Sequence, residues 1–367
     1  MMEFKIIEEC CTILDSQRIP ITAKNRIAGC YPYYGANGVQ DYVSDYIFDD
    51  ELVLLAEDGG NFGSKSRPIA YRVSGKCWVN NHAHVLKPKE NLNVDYLCYS
   101  LMFYDTNNLV NGATRKKLTQ STMRQMKIPY LNIKDQLKIV KKLKKIEEMM
   151  QNYRNQINLL DELVKARFVE LFGDPVYNEK QWKVEQFGSL GELKRGKSKH
   201  RPRNDPILLG GKYPLIQTGD ISNSHTYIQT YKSTYSEEGL KQSKMWKAGT
   251  LCITIAANIA ESAILTFDAC FPDSIVGFLP NDKVNLIFIH HWLDFLQPIL
   301  EENAPAVAQK NLNVASLEKV GVILPPLELQ NQFADFVKEV DKSRLEVQKS
   351  LKKTQELFDS LMQKYFG

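Results

Sequence analysis

Two basic segments carry the clearest chemical signal in this sequence. The first places five cations in nine residues, with Gly196, His200 and Pro202 between them, namely Arg195, Lys197, Lys199, Arg201 and Arg203. The second, Arg115, Lys116 and Lys117, follows Gly112-Ala113-Thr114. Lys and Arg supply many of the contacts that proteins make to phosphates. We therefore predict that both segments follow a nucleic-acid backbone; the alternative for each is a solvated charged loop.

A glycine-rich turn, Gly35-Ala36-Asn37-Gly38, follows two tyrosines in the first third of the chain. Gly and Asn tolerate positive φ, so the stretch is typical of a tight loop. We predict Tyr33 and Asn37 as further nucleic-acid contacts. For the tyrosine, packing beneath the loop is an equal alternative.

Motifs for catalysis are missing from the sequence. Enzymes that methylate amino groups of bases use an (Asp/Asn)-Pro-Pro-aromatic loop, whereas the single Pro-Pro here lies between Leu324 and Leu327. There is no Walker A loop. The imidazoles of His82-Ala83-His84 would share one face of a strand, but no third metal ligand is near them in sequence. We predict no catalytic residue, no metal and no cofactor bound by this chain itself.

Composition sets the broad class of protein. With 367 residues, 43% of them hydrophobic and 25% charged, the chain can form two or more globular domains. A net charge of +4 is too small to establish a polyanionic partner by itself. The seven cysteines form no CxxC pair, which predicts reduced thiols. An acidic N-terminus and the lack of an apolar run of membrane-spanning length predict a cytoplasmic protein that does not contact a membrane.

Two long helices are predicted within residues 129–175 and 324–367, each with one apolar stripe at alternating steps of four and three. This spacing is typical of a coiled-coil seam, which Arg344 and Thr354 interrupt in the second helix. The stripe residues, hereafter the apolar seam, are Ile146, Met150, Tyr153, Ile157, Leu160 and Val164 in the first helix, and Phe333, Val337, Val340, Val347, Leu351, Phe358 and Leu361 in the second.

The two helices also resemble each other as repeats. Gln136 aligns with Gln332 at an offset of 196, whereas Phe172 aligns with Phe366 at an offset of 194, which predicts a loss of two residues in between.

The segments before the helices, 1–128 and 176–323, are predicted to be repeats as well. Gly29-Cys30-Tyr31-Pro32 matches Gly211-Lys212-Tyr213-Pro214 at an offset of 182, and Cys77-Trp78 matches Cys270-Phe271 at 193. Extra sequence in the second copy is predicted at about 227–247. Short apolar runs and a helix near residues 95–104 indicate mixed α/β (α+β) domains. The order is domain, helix, domain, helix, and connectivity predicts that the helices pair antiparallel within one chain.

This arrangement resembles the specificity (HsdS) subunits of type I restriction-modification systems. The residues that carry the resemblance are Tyr31-Pro32-Tyr33-Tyr34-Gly35-Ala36-Asn37-Gly38 with Asp41-Tyr42-Val43, Gly112-Ala113-Thr114 ahead of Lys117-Leu118, Ile128-Pro129, and Leu324-Pro325-Pro326-Leu327 with Gln330 and Gln332. One departure is that no tryptophan precedes the first domain as Trp182 precedes the second.

The resemblance implies two target recognition domains that each read one half of a split sequence in double-stranded DNA, spaced by an antiparallel intramolecular coiled coil. It further implies that methyltransferase (M) subunits, two in number, dock on the chain and that restriction (R) subunits join the complex. The methyl donor and ATP would then bind those partners. The alternative is a freestanding DNA-binding or scaffold protein whose helices dimerise between chains.

Overall fold

The computed structural model describes residues 3–112, 115–256, 259–302 and 313–367. Ala113 and Thr114, which precede the second basic segment, lie outside the described residues. The chain divides into two compact units, one formed by Met1–Arg154 with Gln348–Gly367 and the other by Asn155–Val347. Within the described residues, no helix is long and apolar enough to cross a membrane.

The first unit is built on a six-stranded sheet with the order β2-β7-β5-β6-β3-β4, and on a separate pair, β1 with β8. The strands are β1 (Phe4–Ile6), β2 (Cys11–Ile13), β3 (Ala28–Gly35), β4 (Gly38–Val43), β5 (Phe48–Ala56), β6 (Ala70–Val79), β7 (Ala83–Pro88) and β8 (Lys127–Pro129). The helices are α1 (Ile7–Cys10), α2 (Val94–Met102), α3 (Gln120–Arg124) and the first part of α4 (Ile133–Phe172). Strand β5 lies between two neighbours, and its residues 52–56 are fully buried, as a continuous apolar run predicts.

The second unit has a five-stranded sheet, β10-β18-β15-β16-β12, a four-stranded sheet, β13-β11-β17-β14, and the pair β19-β9. The strands are β9 (Lys183–Gln186), β10 (Gly191–Arg195), β11 (Leu209–Leu215), β12 (Tyr227–Ile228), β13 (Ser233–Tyr235), β14 (Met245–Trp246), β15 (Leu251–Thr254), β16 (Ser262–Leu265), β17 (Ala269–Cys270), β18 (Ile275–Pro280) and β19 (Gly321–Leu324). The helices are α5 (Thr218–Ser222), α6 (Glu237–Lys241), α7 (Leu286–Glu302), α8 (Val314–Glu318) and α9 (Leu327–Phe366), of which α9 ends in the first unit.

The two units share one strand framework. Tyr33 pairs in parallel with Trp78 in the first unit, and Leu215 pairs in parallel with Cys270 in the second. Gly29 and Gly211 occupy equivalent positions: a Cβ there would lie 2.4 Å from the Cα atom of Ser44 and 2.5 Å from that of Ser236, respectively. Both glycines are needed because a neighbouring backbone passes too close for any side chain.

Strand pairing corrects the predicted alignment of the domains. Tyr31 pairs with Val43 and Tyr213 pairs with Tyr235, so the offset is 182 in the first strand of each pair and 192 in the second. The extra sequence of the second copy therefore lies between β11 and β13, earlier than predicted. Trp78 corresponds to Cys270 at 192, which is one residue less than the predicted 193.

The two long helices pair antiparallel within the chain, as predicted. In the first unit, Ile146 and Met150 of α4 share a buried cluster with Phe358 and Met362 from the end of α9. In the second unit, late residues of α4 pack with early residues of α9 in a separate cluster; they are Val164, Phe168, Phe172, Phe333, Val337 and Val340. Every residue of the predicted apolar seam is buried or half-buried, with Tyr153, Ile157, Leu160, Val347, Leu351 and Leu361 in the half-buried class.

The two residues that interrupt the apolar seam are themselves buried. Arg344 is 7% exposed and Thr354 is 8% exposed. The Arg344 guanidinium forms an ion pair with Asp161 of α4 and lies 3.1 Å from Nδ1 of His225. The Thr354 hydroxyl donates to the Ser350 carbonyl at 2.8 Å. Both side chains thus have polar partners, although Nε of Arg344 forms no hydrogen bond and lies 3.6 Å from the Asp341 carboxylate.

A single offset of 194 relates the two helices over their whole length, so the predicted loss of two residues is wrong. The residue equivalent to Gln136 is Gln330, and both side chains are fully buried. Gln136 Oε1 accepts from the backbone of Asn93, and its amide donates to the carbonyls of Asn91 and Leu131. Gln330 makes the same three bonds, to Asn285, Lys283 and Pro325.

Truncation of the apolar seam tests this packing. We expect Phe358→Ala to lower the free energy of unfolding by about 3–5 kcal/mol, because it removes a ring that is 5% exposed. Leu357→Ala is the matched control, since the neighbouring leucine is 51% exposed and a surface substitution costs roughly 0.5 kcal/mol or less. Urea unfolding of both variants measures the difference, and equal losses would contradict the assignment of the buried stripe.

Candidate nucleic-acid interface

The basic loop (residues 195–203) begins at the last residue of β10 and is held by the segment after α6. The backbone N–H groups of Lys199 and His200 donate to Gln242 Oε1 at 2.7 and 3.2 Å. The Ser243 hydroxyl donates to the Lys197 carbonyl at 2.9 Å. These bonds fix the loop backbone while the side chains of Arg195, Lys197 and Lys199 remain exposed.

Three arginines of the basic loop gather around one aspartate. Arg195 donates to the backbone carbonyl of Asp273, Arg201 lies 3.3 Å from its carboxylate, and Arg203 pairs with the other carboxylate oxygen. Arg201 also donates to the carbonyls of Ser198 and His200 at 2.6 and 2.8 Å. The guanidinium groups are therefore positioned before any ligand binds, which reduces the entropy lost on binding an anion.

The two lysines of the basic loop behave differently. In the described part of the chain, neither Lys197 nor Lys199 forms an ion pair. Asp205 accepts from the Ile207 N–H and faces His200 at 2.9 Å, and these contacts lower the pKa of Asp205 so that it stays charged. Even so, the five cations of the loop exceed the two carboxylates, Asp205 and Asp273, by three.

In the first unit, three other loops lie together with the second basic segment. Arg115 pairs with Asp58 at 2.6 Å and approaches His82 Nδ1 at 3.4 Å. Asn37 donates to the Gly59 carbonyl at 3.0 Å. Asn37 and Arg115 are exposed, so these predicted contacts lie on one accessible surface.

The other two cations of this segment, Lys116 and Lys117, are both exposed. Lys117 forms an ion pair with Glu57 at 3.1 Å. Their roles in binding stay predictions.

Tyr33 is not part of that surface, so its prediction as a nucleic-acid contact needs correction. The side chain is 1% exposed, and its hydroxyl exchanges hydrogen bonds with the backbone of Ile21. The Arg26 guanidinium lies 4.3 Å from the ring centroid. The ring therefore packs beneath the loop, which was the alternative, and has no free face for a base.

A buried polar network beneath the loops of the first unit was missed in the sequence. His84 is fully buried, with Nδ1 2.6 Å from Asp15 and Nε2 3.0 Å from the Leu118 carbonyl. Arg18 pairs with Glu57 at 2.6 Å in the same network. Burial acts to raise the pKa of Asp15, but the bonds and charge of His84, together with the other donors, lower it overall.

His82 and His84 have separate partners, because His82 pairs with Asp58 and His84 with Asp15. The two histidines thus have different acidic partners, and the expectation of no metal between them stays a prediction.

The second unit contains another histidine group, in α7. His291 Nδ1 lies 3.1 Å and His290 Nε2 3.8 Å from the Asp294 carboxylate, and these ligand atoms lie within 4.8 Å of one another. His290 Nδ1 is 2.9 Å from the Ser262 hydroxyl. Burial lowers the pKa of His290 to about 4, and His291 and His225 act in the same direction against Asp294. Nε2 of His291 is buried without a hydrogen-bond partner. The expectation that the chain binds no metal stays a prediction.

Comparison with known proteins identifies the framework. The family model described as "Type I restriction modification DNA specificity domain" matches residues 1–160 and 179–357. The chain belongs to this family. The two matched stretches fall on the two copies of the repeated framework, and the intervening residues belong to the end of α4 and the loop that follows it.

Curated relatives agree with the membership of this specificity subunit family. A protein of Haemophilus influenzae named as a type I restriction enzyme specificity subunit is 28% identical over 349 residues, covering 92% of this chain and 86% of the relative. The type I restriction enzyme MjaIX specificity subunit of Methanocaldococcus jannaschii is 21% identical, covering 81% of this chain and 74% of the relative.

Solved structures show the same fold. The S subunit of a type I restriction-modification system from M. genitalium matches with a TM-score of 0.59 at 14% identity, over 100% of this chain and 96% of that chain. A structure from work on complex assembly and conformational transition of the type I R-M system matches with a TM-score of 0.53 at 14% identity, over 99% and 97%. A mixed α/β chain with two copies of the specificity domain and a long helix between them is thus the fold of this family.

The unpaired lysines of the basic loop give a test of phosphate binding. We expect Lys197→Ala with Lys199→Ala to weaken binding to DNA of any sequence, and to flatten the plot of log K against log salt concentration by about 0.9 for each phosphate that is no longer neutralised. Lys138→Ala with Lys342→Ala, two paired cations on the long helices, is the control. If the slope for the double variant equals that of the wild type, the two lysines do not contact phosphates and the loop is a solvated charged loop.

His290 gives a test of stability against pH. Its folded pKa of about 4 lies below the ordinary value of about 6.5, so the unfolded chain takes up a proton first as the pH falls. The stabilising contribution is present above about pH 6.5 and is lost as the pH falls toward 4.

We expect His290→Asn to remove this part of the pH dependence, and His200→Asn, at a half-exposed site, to leave it intact. The midpoint of urea unfolding, measured from pH 7 to pH 4 for each variant and the wild type, shows whether this pH dependence is lost. Parallel curves for His290→Asn and wild type would contradict the burial of a neutral imidazole.

Proposed function

We propose that this chain is the DNA-recognition subunit of a type I restriction-modification complex, and that it reads a bipartite target and directs methylation and restriction by partner subunits. The observation that carries this proposal is the duplicated framework with unlike loops. The strand pairings around Tyr33 and Leu215 and the buried glutamines are equivalent in the two copies. The loop surfaces that carry the predicted DNA contacts differ between the two copies.

The loop surfaces support two different half-sites. The first unit presents Asn37 and Arg115 beside Asp58 and His82, a mixed surface of donors and acceptors that suits base edges. The second presents the basic loop and carries the insertion between β11 and β13. Because side chains in loops determine which bases are read, domains with one framework and different loops should recognise different sequences.

The antiparallel helices support opposite orientations of the two half-sites. Residues 1–128 and 176–323, which we propose as the recognition domains, precede equivalent helices that run in opposite directions. We propose that the two domains read half-sites in opposite orientations, with unread bases between them, as proteins with twofold symmetry do. We propose that the length of the paired helices sets that gap.

Partner subunits supply the chemistry in this proposal. The sequence lacks the methyl-donor and ATP-binding motifs, so both ligands are assigned to the M and R subunits. Leu163 and Leu357 are equivalent at the offset of 194 and are 47% and 51% exposed on α4 and α9. Two equivalent apolar points outside the apolar seam fit the docking of two M subunits. R subunits would join that complex in the cytoplasm.

The alternative, a freestanding protein that dimerises through its helices, is disfavoured by the packing. Dimerisation between chains would need the apolar seam to be open. In each unit most seam residues already share a buried cluster with the other helix of the same chain.

Exchange of one domain tests the proposal. We expect replacement of residues 176–323 by the same region of a relative to change one half of the methylated sequence and leave the other half intact. Exchange of residues 1–128 is the reciprocal control and should change only the other half. Methylome sequencing of hosts that carry each chimera provides the measurement. A chimera that alters both halves, or neither, would contradict two independent recognition domains.

A further inference from the structure

Lys244 lies beside the basic loop, although it comes from a different part of the sequence. The two residues before it, Gln242 and Ser243, hold the loop backbone through the hydrogen bonds to Lys199, His200 and Lys197. The connectivity of the chain therefore keeps Lys244 next to the loop.

An aromatic ring holds the Lys244 side chain in place. Its ammonium lies 3.8 Å from the centroid of the Trp246 ring, within the range of a cation–π interaction. Trp246 is 3% exposed and stacks on Phe271 at a centroid distance of 4.7 Å. Because that ring cannot move freely, it presents the cation at a defined point.

The surroundings of Lys244 are basic, although one of its two neighbouring lysines, Lys194, pairs with Glu192. Among the residues that the structure describes, no carboxylate pairs with Lys244, and its charged neighbours are Lys194 and Lys197. Partial burial and the repulsion from these two lysines lower the pKa of Lys244. Lys247 shows the contrast, since it is paired with Asp268 at 2.7 Å and its side chain is 83% exposed.

Like charges held close together raise the free energy of the unbound protein. A bound anion would offset that repulsion, and its charge would also offset the partial desolvation of the ammonium. The arrangement therefore favours an anionic ligand over a neutral one. If the chain binds DNA, as proposed above, the anion available at this position is a phosphate of the DNA backbone.

We propose that Lys244 binds a phosphodiester group of DNA, in one site with Lys197 and Lys199. The inference rests on the proposed function and adds to it a contact that lies outside both basic segments. Lysine acts at such a site as a point charge, so the contact should add affinity without preference for sequence.

Salt dependence tests the contribution of the charge. The complex copurified with the host methyltransferase is titrated with a duplex of random sequence at several salt concentrations. We expect Lys244→Ala to lower the slope of log K against log salt concentration by about 0.9 and Lys244→Arg to restore it. Lys247→Ala is the matched control and should leave the slope unchanged. A wild-type slope for Lys244→Ala would overturn the proposal.

Acylation of lysines by an amine-reactive reagent tests the ligand. We expect DNA to protect Lys244 from modification and to leave Lys247 reactive. Inorganic phosphate at matched ionic strength should protect far less, and equal protection by phosphate would make this a site for small anions and overturn the assignment to DNA.

The two levels of the proposal fail differently. If the wild-type complex binds no DNA, the proposed function fails. If it binds DNA but Lys244 is neither protected nor linked to the slope, only this inference fails.

Discussion

The mutual burial of two apolar stripes is the constraint on which the structure depends. A helix of 40 residues has no core of its own, and most helical stability in proteins comes from packing of one face. Each helix therefore needs the other along its whole length. Because the pairing is antiparallel, each compact unit receives the beginning of one helix and the end of the other, and the first unit is therefore built from two separate stretches of the sequence.

Arg344 links this packing to a segment outside the long helices. A buried guanidinium loses hydration, and the attraction within its ion pair can return less free energy than that desolvation costs. Replacement by an apolar residue at the equivalent position is possible in principle, since Met150 occupies it in the other copy. Arg344 links α9 to Asp161 of α4 and to His225. His225 belongs to the insertion between β11 and β13, which is found only in the second domain. The insertion is thus joined to the helices at one point.

Much of this fold could be predicted from the sequence because its signals are periodic. The spacing of the apolar seam predicted both long helices, and the sequence repeats predicted the order of domains and helices. The offset of the helix starts was misjudged because Gln332 resembles Gln136 in type, whereas burial singles out Gln330. Register within the sheets was off by one residue at Trp78, since short strands of similar composition allow neighbouring alignments.

The candidate surfaces were predicted less well, for a physical reason. The basic runs were visible as runs, but Asp273 and Lys244 lie far from them in sequence and reach the loop only through the fold. Tyr33 illustrates the opposite error, because a ring beside a glycine-rich turn can face either way. Its hydroxyl bonds with Ile21 show the direction, and no local pattern encodes them.

The buried glutamines at the start of each long helix have a consequence for how such proteins can change. Gln136 and Gln330 hold the preceding domain entirely through backbone atoms, at Asn91 and Asn93 in one copy and at Lys283 and Asn285 in the other. A joint that contacts only backbone places no demand on the side chains of the domain attached to it. A foreign domain with the same loop path would keep these backbone bonds at the junction, whereas its apolar contacts with the long helix, such as those of Tyr96 and Leu97 with Ile139, depend on side chains.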